Sequence, residues 1–159
     1  MREIVSVGKI IKLVKEFKKK SQTTVLVGGC FDILHPGHVI FLDKAKKLGN
    51  FLIVLLESDE KVKVLKGVNR PIHTQVRRAK VLLALRPIDF VVMLPFLKSD
   101  FDYDQLVAKI KPDIVAATKG YANIHHLKRC SKLVSASLKF VTKKVGNYSS
   151  SRVLTGKTI

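Results

Sequence analysis

Acidic residues and cysteines are scarce in this sequence. The chain has 12 Asp and Glu residues against 30 Lys and Arg residues, which gives a formal net charge of +18 and favours polyanionic partners or phosphorylated ligands. Its two cysteines, Cys30 and Cys130, form no CxxC pair, so the pattern argues against a disulfide scaffold and a zinc site and fits a reducing compartment. The sequence also lacks a long apolar run and a signal-peptide pattern. We therefore expect a soluble, cytoplasmic protein that does not cross a membrane.

The length and composition predict one globular domain over residues 1–159. A chain of 159 residues with 47% hydrophobic and 26% charged residues can bury a core without disulfides or metals. Residues 1–20 are predicted to form an amphipathic helix packed on this domain, because apolar residues recur at helical spacing from Ile4 to Phe17 while lysines occupy other faces. Such a helix could lie on an anionic membrane, but packing against a sheet is the favoured interpretation.

The rest of the chain alternates short apolar runs with helical patterns. Because the runs are apolar on both faces, they predict a parallel sheet covered by helices on each side, a doubly wound Rossmann-like α/β fold. Ligands bind such sheets where loops leave the carboxyl ends of the strands. The predicted strands cover residues 23–29, 51–58, 89–95, 113–117 and 138–142, and the predicted helices cover residues 37–49, 74–85, 102–110 and 125–136.

The loop after the first of these strands has the composition of an anion-binding site. It runs GGCFDILHPGH from Gly28, and its glycines allow close approach of the backbone to a ligand. Pro36 and Gly37 open the next helix, whose N-terminal amides attract phosphate. His35 and His38 flank that start and could stabilise charge on a phosphoryl group. The alternative is a pair of capping or surface histidines.

The spacing of this loop resembles the GxFDxxHxGH signature of the nucleotidyltransferase superfamily, which includes cytidylyltransferases and small adenylyltransferases. The matching positions are Gly29, Phe31, Asp32, His35, Gly37 and His38. Within the superfamily, the sequence is most similar to adenylyltransferase domains that make ADP-heptose, and next to glycerol-3-phosphate cytidylyltransferases. The likeness extends from about Thr24 to Leu154.

The resemblance implies an enzyme that moves AMP or CMP from a nucleoside triphosphate to a phosphate-bearing small molecule, releasing pyrophosphate, with Mg²⁺ as cofactor. A heptose 1-phosphate is the favoured acceptor. An ionised phosphate can attack without a protein base, so positioning and charge stabilisation suffice. In this scheme His35, His38, Lys66 and Arg78 act on the reacting phosphates, and Arg77 replaces Arg78 if the register shifts by one. The expected nucleotide-binding residues are Gly29, Cys30, Phe31, Asp32, Gly37, Asp59, Thr118, Lys119, Ser149, Ser150 and Ser151.

One segment departs from the family pattern. Relatives carry an acidic residue in the loop after the fourth core strand, as in KGGDY, whereas this chain has ATKGY. The tyrosine, Tyr121, matches, but Gly120 falls near the acidic position and Lys119 adds a positive charge. The change leaves the base and the acceptor open, with FMN as one alternative acceptor.

Two functions of a different class stay open. The net charge of +18 would suit a nucleic-acid-binding protein, but the loop motif makes nucleic acid an unlikely partner. The altered ATKGY loop would suit a nucleotide sensor without catalysis. We predict no metal held by protein side chains, because His125 and His126 are adjacent on a helix and point apart; both, with His73, are interpreted as surface residues. Family members are often dimers, so a homodimer is also left open.

Overall fold

The computed structural model describes residues 2–120 and 124–143. Within these residues the chain forms six strands and six helices, which alternate along the sequence except that two helices in succession follow the third strand. The strands are β1 (Glu3–Val5), β2 (Thr24–Gly29), β3 (Phe51–Leu56), β4 (Phe90–Met93), β5 (Ile114–Lys119) and β6 (Ser137–Lys143). The helices are α1 (Val7–Lys19), α2 (Pro36–Lys46), α3 (Asp59–Lys66), α4 (Gln75–Ala84), α5 (Asp100–Ile110) and α6 (Ile124–Leu133).

All six strands pair in parallel to form one sheet, in the order β1-β4-β3-β2-β5-β6. The chain moves outward from β2 through β3 to β4 on one side, and it later adds β5 and β6 on the other side. The connections therefore diverge between β2 and β5, the point at which doubly wound sheets bind ligands. This topology confirms the predicted fold class.

Successive residues of the central strands point to opposite faces of the sheet, and each face is covered by helices. On one face, Leu26 and Ile53 belong to a core that α1, α5 and α6 complete. On the other face, Val27 and Val54 belong to a core that α2 and α4 complete. Because both faces are buried, β2 and β3 have continuous apolar sequences, and this pattern is why they could be predicted.

The N-terminal segment differs from the expectation of one helix over residues 1–20. Glu3–Val5 form the edge strand β1, with Ile4 opposite Val91 of β4, and only then does α1 begin. The break occurs at Ser6, whose hydroxyl accepts a hydrogen bond from the Lys9 amide at 3.2 Å and caps the helix. Apolar residues at positions 4 and 7 fit a helix and a strand–helix junction equally well, so spacing alone gave the wrong boundary.

The helix α3 was not predicted from the sequence. It is eight residues long and exposes most of its side chains, but Ser58 caps it by accepting from the Lys61 amide at 3.2 Å. Asp59 and Glu60 in its first turn complement the helix dipole.

Among the helices of the described ranges, none has the length and apolar character needed to cross a bilayer.

Candidate active site

A cavity of about 490 Å³ opens at the carboxyl ends of the central strands. Its walls come from the end of β2, the start of α2 and the end of β3 on one side, and from β5, α5 and α6 on the other side. It therefore lies at the point where the connections diverge. Of the predicted site residues, those that line it are Gly29, Cys30, Phe31, His35, Gly37, His38, Lys66 and Thr118.

His35 and His38 stack on each other at the start of α2. Their ring centroids lie 3.7 Å apart with an interplanar angle of 26°. His35 is the N-cap residue, and its amide donates to Nδ1 of His38 at 3.3 Å. Phe31 packs beside the pair, with 5.3 Å between its ring and that of His38. The two imidazoles are thus held together at the N-terminus of α2, on the wall of the cavity.

The surroundings of both histidines favour the neutral imidazole. Burial, and then the neighbouring His35 and Lys66, lower the pKa of His38 to about 3. Burial, and then Lys66, also lowers the pKa of His35. A phosphate in the cavity would act oppositely on both groups, because a nearby negative charge favours the imidazolium form.

Gly29 is required because the ring of Phe31 covers it. A Cβ atom added at Gly29 would lie 2.9 Å from Cε2 of Phe31, whereas one at Gly28 would meet nothing closer than the Leu55 carbonyl at 4.0 Å. Phe31 itself has a positive φ of 42°, so the chain turns sharply at this point. The turn buries the Phe31 ring and leads the loop toward His35.

Lys66 is the last residue of α3 and lies at the rim of the cavity. Its charge lowers the pKa of both His35 and His38, and the three residues line the same cavity. The next residue, Gly67, ends the helix with φ of 104°, a conformation that favours glycine. The sequence LKG therefore places a lysine at a helix end that faces the histidines.

Arg78, expected to contact phosphate, makes its described contacts within the protein. Its guanidinium is buried and donates to three carbonyl groups, those of Cys30, Glu57 (2.9 Å) and His73 (3.0 Å). It also donates to Oδ1 of Asp59 at 2.7 Å. Arg78 thus joins the ends of β2 and β3 to the start of α4, and it does not line the cavity. Arg77, the alternative, is exposed.

Asp32 is also occupied within the protein. Its buried carboxylate forms an ion pair with Arg70 and accepts from the Ile72 amide at 2.8 Å and from the His73 amide at 3.4 Å. Burial would raise the pKa of Asp32, but these hydrogen bonds outweigh it and the pKa is lowered. Asp32 therefore fixes the loop to the segment before α4 and is not among the residues that line the cavity. The sequence did not identify Arg70.

The remaining predicted residues fall in three places. Thr118 lines the cavity, and its hydroxyl lies 3.0 Å from that of Thr142 on β6. Lys119 is exposed at the end of β5 and does not line the cavity. Tyr121 and the serines Ser149, Ser150 and Ser151 lie outside the described residues, so their expected contacts stay predictions. Cys30 lines the cavity, and burial raises the pKa of its thiol.

The cavity residues that were missed include Glu57, Tyr103 and His126. Glu57 follows β3, and the hydroxyl of Tyr103 donates to its carboxylate oxygens at 2.8 and 2.9 Å. Burial raises the pKa of Glu57 although the Tyr103 hydrogen bond works in the opposite direction. His126 also lines the cavity, and its side chain is only 15% exposed, so its interpretation as a surface residue was wrong.

The chain matches the family described as Cytidylyltransferase-like over residues 26–155. Among curated proteins, it is 42% identical over 123 residues to "Bifunctional protein HldE" of Campylobacter fetus, which covers 76% of this chain and 24% of that protein. It is 45% identical over 107 residues to the protein of the same name from Nitratiruptor sp., covering 67% and 22%. The chain therefore spans about a quarter of the length of these curated relatives.

Solved structures give the same fold. A lipopolysaccharide core biosynthesis protein from Thermoplasma volcanium superposes with a TM-score of 0.60 at 26% identity, covering 80% of this chain and 99% of that chain. A pantoate-beta-alanine ligase from Francisella tularensis superposes with a TM-score of 0.63 at 14% identity, covering 98% and 77%. The second likeness bears on the fold alone. Together with the family match, the first agrees with the resemblance drawn from the loop motif.

Proposed function

The chain belongs to the cytidylyltransferase-like family, and we propose that it transfers a nucleotidyl group, AMP or CMP, from a nucleoside triphosphate to a phosphate-bearing small molecule. The observation that carries this proposal is the stacked pair His35 and His38 at the start of α2, beside Lys66 and on the wall of the 490 Å³ cavity. Helix N-termini bind phosphate through free amides and the helix dipole. The α-phosphate would lie against this end of α2.

In the proposed reaction, an oxygen of the acceptor phosphate attacks the α-phosphorus. A new P–O bond forms, and the bond from the α-phosphorus to the bridging oxygen breaks, so pyrophosphate leaves with the electron pair. The attacking phosphate is already ionised, and no proton has to be removed. His35 and His38 would therefore act as hydrogen-bond donors to the phosphoryl oxygens as charge develops.

Lys66 would supply positive charge that the histidines lack in the ligand-free state. Because burial keeps the His38 pKa at about 3, its imidazole enters the reaction neutral and gains a proton only if the bound phosphates raise that pKa. Arg78 is proposed as a positioning residue, since its donors hold the backbone of Cys30 and Glu57 at the cavity wall.

Mg²⁺ is expected to accompany the triphosphate. Among the described residues that line the cavity, Glu57 is the one with a carboxylate, so phosphate oxygens would provide most of the coordination. This donor set fits an ion that arrives with the nucleotide, with Glu57 within reach of it. When bound, Mg²⁺ would neutralise charge on the triphosphate and on the departing pyrophosphate.

The acceptor is proposed to be a heptose 1-phosphate, on the likeness to proteins named HldE. Glycerol 3-phosphate and FMN are the alternatives that the sequence leaves open. Glu57 and Tyr103 border the cavity and could accept from and donate to hydroxyl groups of a sugar. A cytoplasmic location and a homodimer remain predictions of the same proposal.

The test is a pyrophosphate-release assay with Mg²⁺, in which ATP and CTP are each combined with heptose 1-phosphate, glycerol 3-phosphate and FMN. We expect release in one combination, and we expect His38→Ala to reduce kcat by at least about a hundredfold, as for loss of a group that stabilises developing charge. His125→Ala is the matched control, because His125 is exposed and does not line the cavity.

Two results would contradict the proposal. One is pyrophosphate release that His38→Ala leaves unchanged. The other is failure of both nucleotides to bind by calorimetry, with no release in any combination. In the second case, steeply salt-dependent binding to DNA or RNA would favour the nucleic-acid-binding alternative, whereas nucleotide binding without release would favour the sensor.

A further inference from the structure

Three side chains with metal-binding atoms meet between α5 and α6, and the more exposed Asp100 lies beside them. Asp100 and Asp104 are one helical turn apart on α5, and His126 and Cys130 are one turn apart on α6. Ligand atoms of Asp104, His126 and Cys130 all lie within 4.8 Å of one another. Cys130 is buried, and the side chains of His126 and Asp104 are only 15% and 13% exposed.

The separations of these atoms approach those of a tetrahedral site. Nδ1 of His126 lies 3.7 Å from Sγ of Cys130, 3.7 Å from Oδ1 of Asp104 and 3.8 Å from Oδ2 of Asp100. Zinc bonds of about 2.0–2.3 Å place neighbouring ligand atoms roughly 3.3–3.7 Å apart. One pair is closer, because the Cys130 thiol donates a hydrogen bond to Oδ1 of Asp104 at 2.7 Å. Replacing that proton by a metal would open this contact by about 1 Å.

A cation already lies among these groups. The guanidinium of Arg129 donates to Oδ2 of Asp104 at 2.8 Å, and its Nη2 lies 3.0 Å from Nδ1 of His126 and 3.6 Å from Oδ2 of Asp100. The Arg129 side chain is 48% exposed, so its guanidinium has a path to solvent. The site is therefore arranged around a positive charge that a smaller divalent ion could replace.

We propose that Asp104, His126 and Cys130 bind a divalent transition-metal ion of the zinc class, with Asp100 completing the coordination. One thiolate, one imidazole and carboxylates are ligands that zinc and cobalt share, whereas magnesium and calcium prefer oxygen ligands alone. His126 and Cys130 also line the cavity, but the three ligands lie on α5 and α6 and not at the start of α2, where the nucleotide is proposed to bind. It departs from the sequence-based expectation of no protein-held metal, which considered the adjacent pair His125 and His126 and not the spacing from His126 to Cys130.

The test is a titration of the untagged, reduced protein with Co²⁺, followed by absorption spectroscopy. We expect binding of one ion per chain, with visible bands of tetrahedral intensity and a near-ultraviolet thiolate-to-cobalt charge-transfer band, both removed by adding Zn²⁺. Cys130→Ser should lose the charge-transfer band, and His126→Ala should weaken binding at least about tenfold. Arg129→Gln should bind Co²⁺ more tightly, because a competing cation is gone.

The matched controls are His125→Ala, which removes the exposed neighbouring histidine, and Cys30→Ser, which removes the other thiol. Both should keep the full spectrum. The proposal would be overturned by a native chain that shows no charge-transfer band at saturating Co²⁺, a measurement that requires no variant to fold. It would also be overturned if the band disappeared in Cys30→Ser and persisted in Cys130→Ser. Binding that Arg129→Gln leaves equal or weaker would contradict the placement of the ion where the guanidinium lies.

Discussion

Replacing His38 by glutamine should remove a large part of the acid sensitivity of the fold. Burial lowers the pKa of His38 from 6.5 to about 3 in the folded protein, whereas the unfolded chain has the ordinary value. Between these two values the unfolded state binds one more proton than the folded state, so the free energy of unfolding falls as the pH falls. The stability that depends on a neutral His38 is fully present above the pKa of the unfolded chain, 6.5, and is lost as the pH falls toward the pKa of the folded protein, about 3.

The size of the effect follows from the same two pKa values. Inside the window, one such group changes the free energy of unfolding by about 1.4 kcal/mol per pH unit. From about pH 7 to about pH 5, the native chain should lose about 2 kcal/mol through His38 alone. The lowered pKa of His35 acts in the same direction, and the carboxylates contribute equally to both proteins. The difference between native and His38→Gln chains therefore isolates His38.

The assay is urea unfolding of both chains across this pH range, followed by circular dichroism. His125→Gln is the control, since His125 is exposed, and it should lose stability with pH as the native chain does. If His38→Gln lost as much stability as the native chain between these pH values, the imidazole could not be buried as described. The reasoning about a neutral His38 at the start of the reaction would then fail as well.

Three further changes test the loop around the site by urea unfolding. Gly29→Ala should lower the free energy of unfolding by about 1–3 kcal/mol, because its Cβ atom would clash with the Phe31 ring. Gly28→Ala should lower it clearly less. Equal losses in the two variants would contradict the described packing of Phe31 on Gly29. Arg70→Ala should lower the free energy of unfolding by about 3–5 kcal/mol, because it leaves the Asp32 carboxylate buried without its cation. The double variant Asp32→Leu with Arg70→Met should lower it by less than Arg70→Ala alone. A larger loss in the double variant would refute this. Arg78→Lys should lose about 2 kcal/mol or more, because an ammonium cannot reach the four acceptors of the guanidinium, whereas exposed Arg77→Lys should change little.

The sequence predicted the sheet well because its signals are local. Runs such as FLIVLL are apolar at every position, which only a strand buried on both faces requires, and the helices between them show regular spacing. The pairing between β1 and β4 could not be predicted in this way. Three residues carry too little pattern, and what makes them a strand is a partner 87 positions away, with Glu3 opposite Phe90.

Some residues of the site were predicted from the sequence and others were not, because a sequence pattern does not show in which direction a polar side chain points. His35 and His38 lie at a helix start that the sequence marks with Pro36, so their place at the cavity followed from the boundary of that helix. Lys66 was expected only from the family resemblance, because the helix that it ends was not predicted. Arg78 occurs within a helical pattern, where spacing indicates the buried face but not what the guanidinium contacts there. Its acceptors are the backbone carbonyls of the distant Cys30 and Glu57 and of the nearby His73, together with the Asp59 carboxylate, a combination that no spacing could indicate.

The GxFDxxHxGH motif contains residues with two kinds of role, those that line the cavity and those that hold the loop in place. Asp32 is as much a part of the GxFDxxHxGH spacing as the histidines are, yet its carboxylate contacts Arg70 and two backbone amides rather than the cavity. A loop that must hold two neutral imidazoles together against a helix end needs such an internal anchor, because the imidazoles themselves contribute little to its stability. Replacing Asp32 should therefore misplace His35 and His38 and reduce catalysis through them.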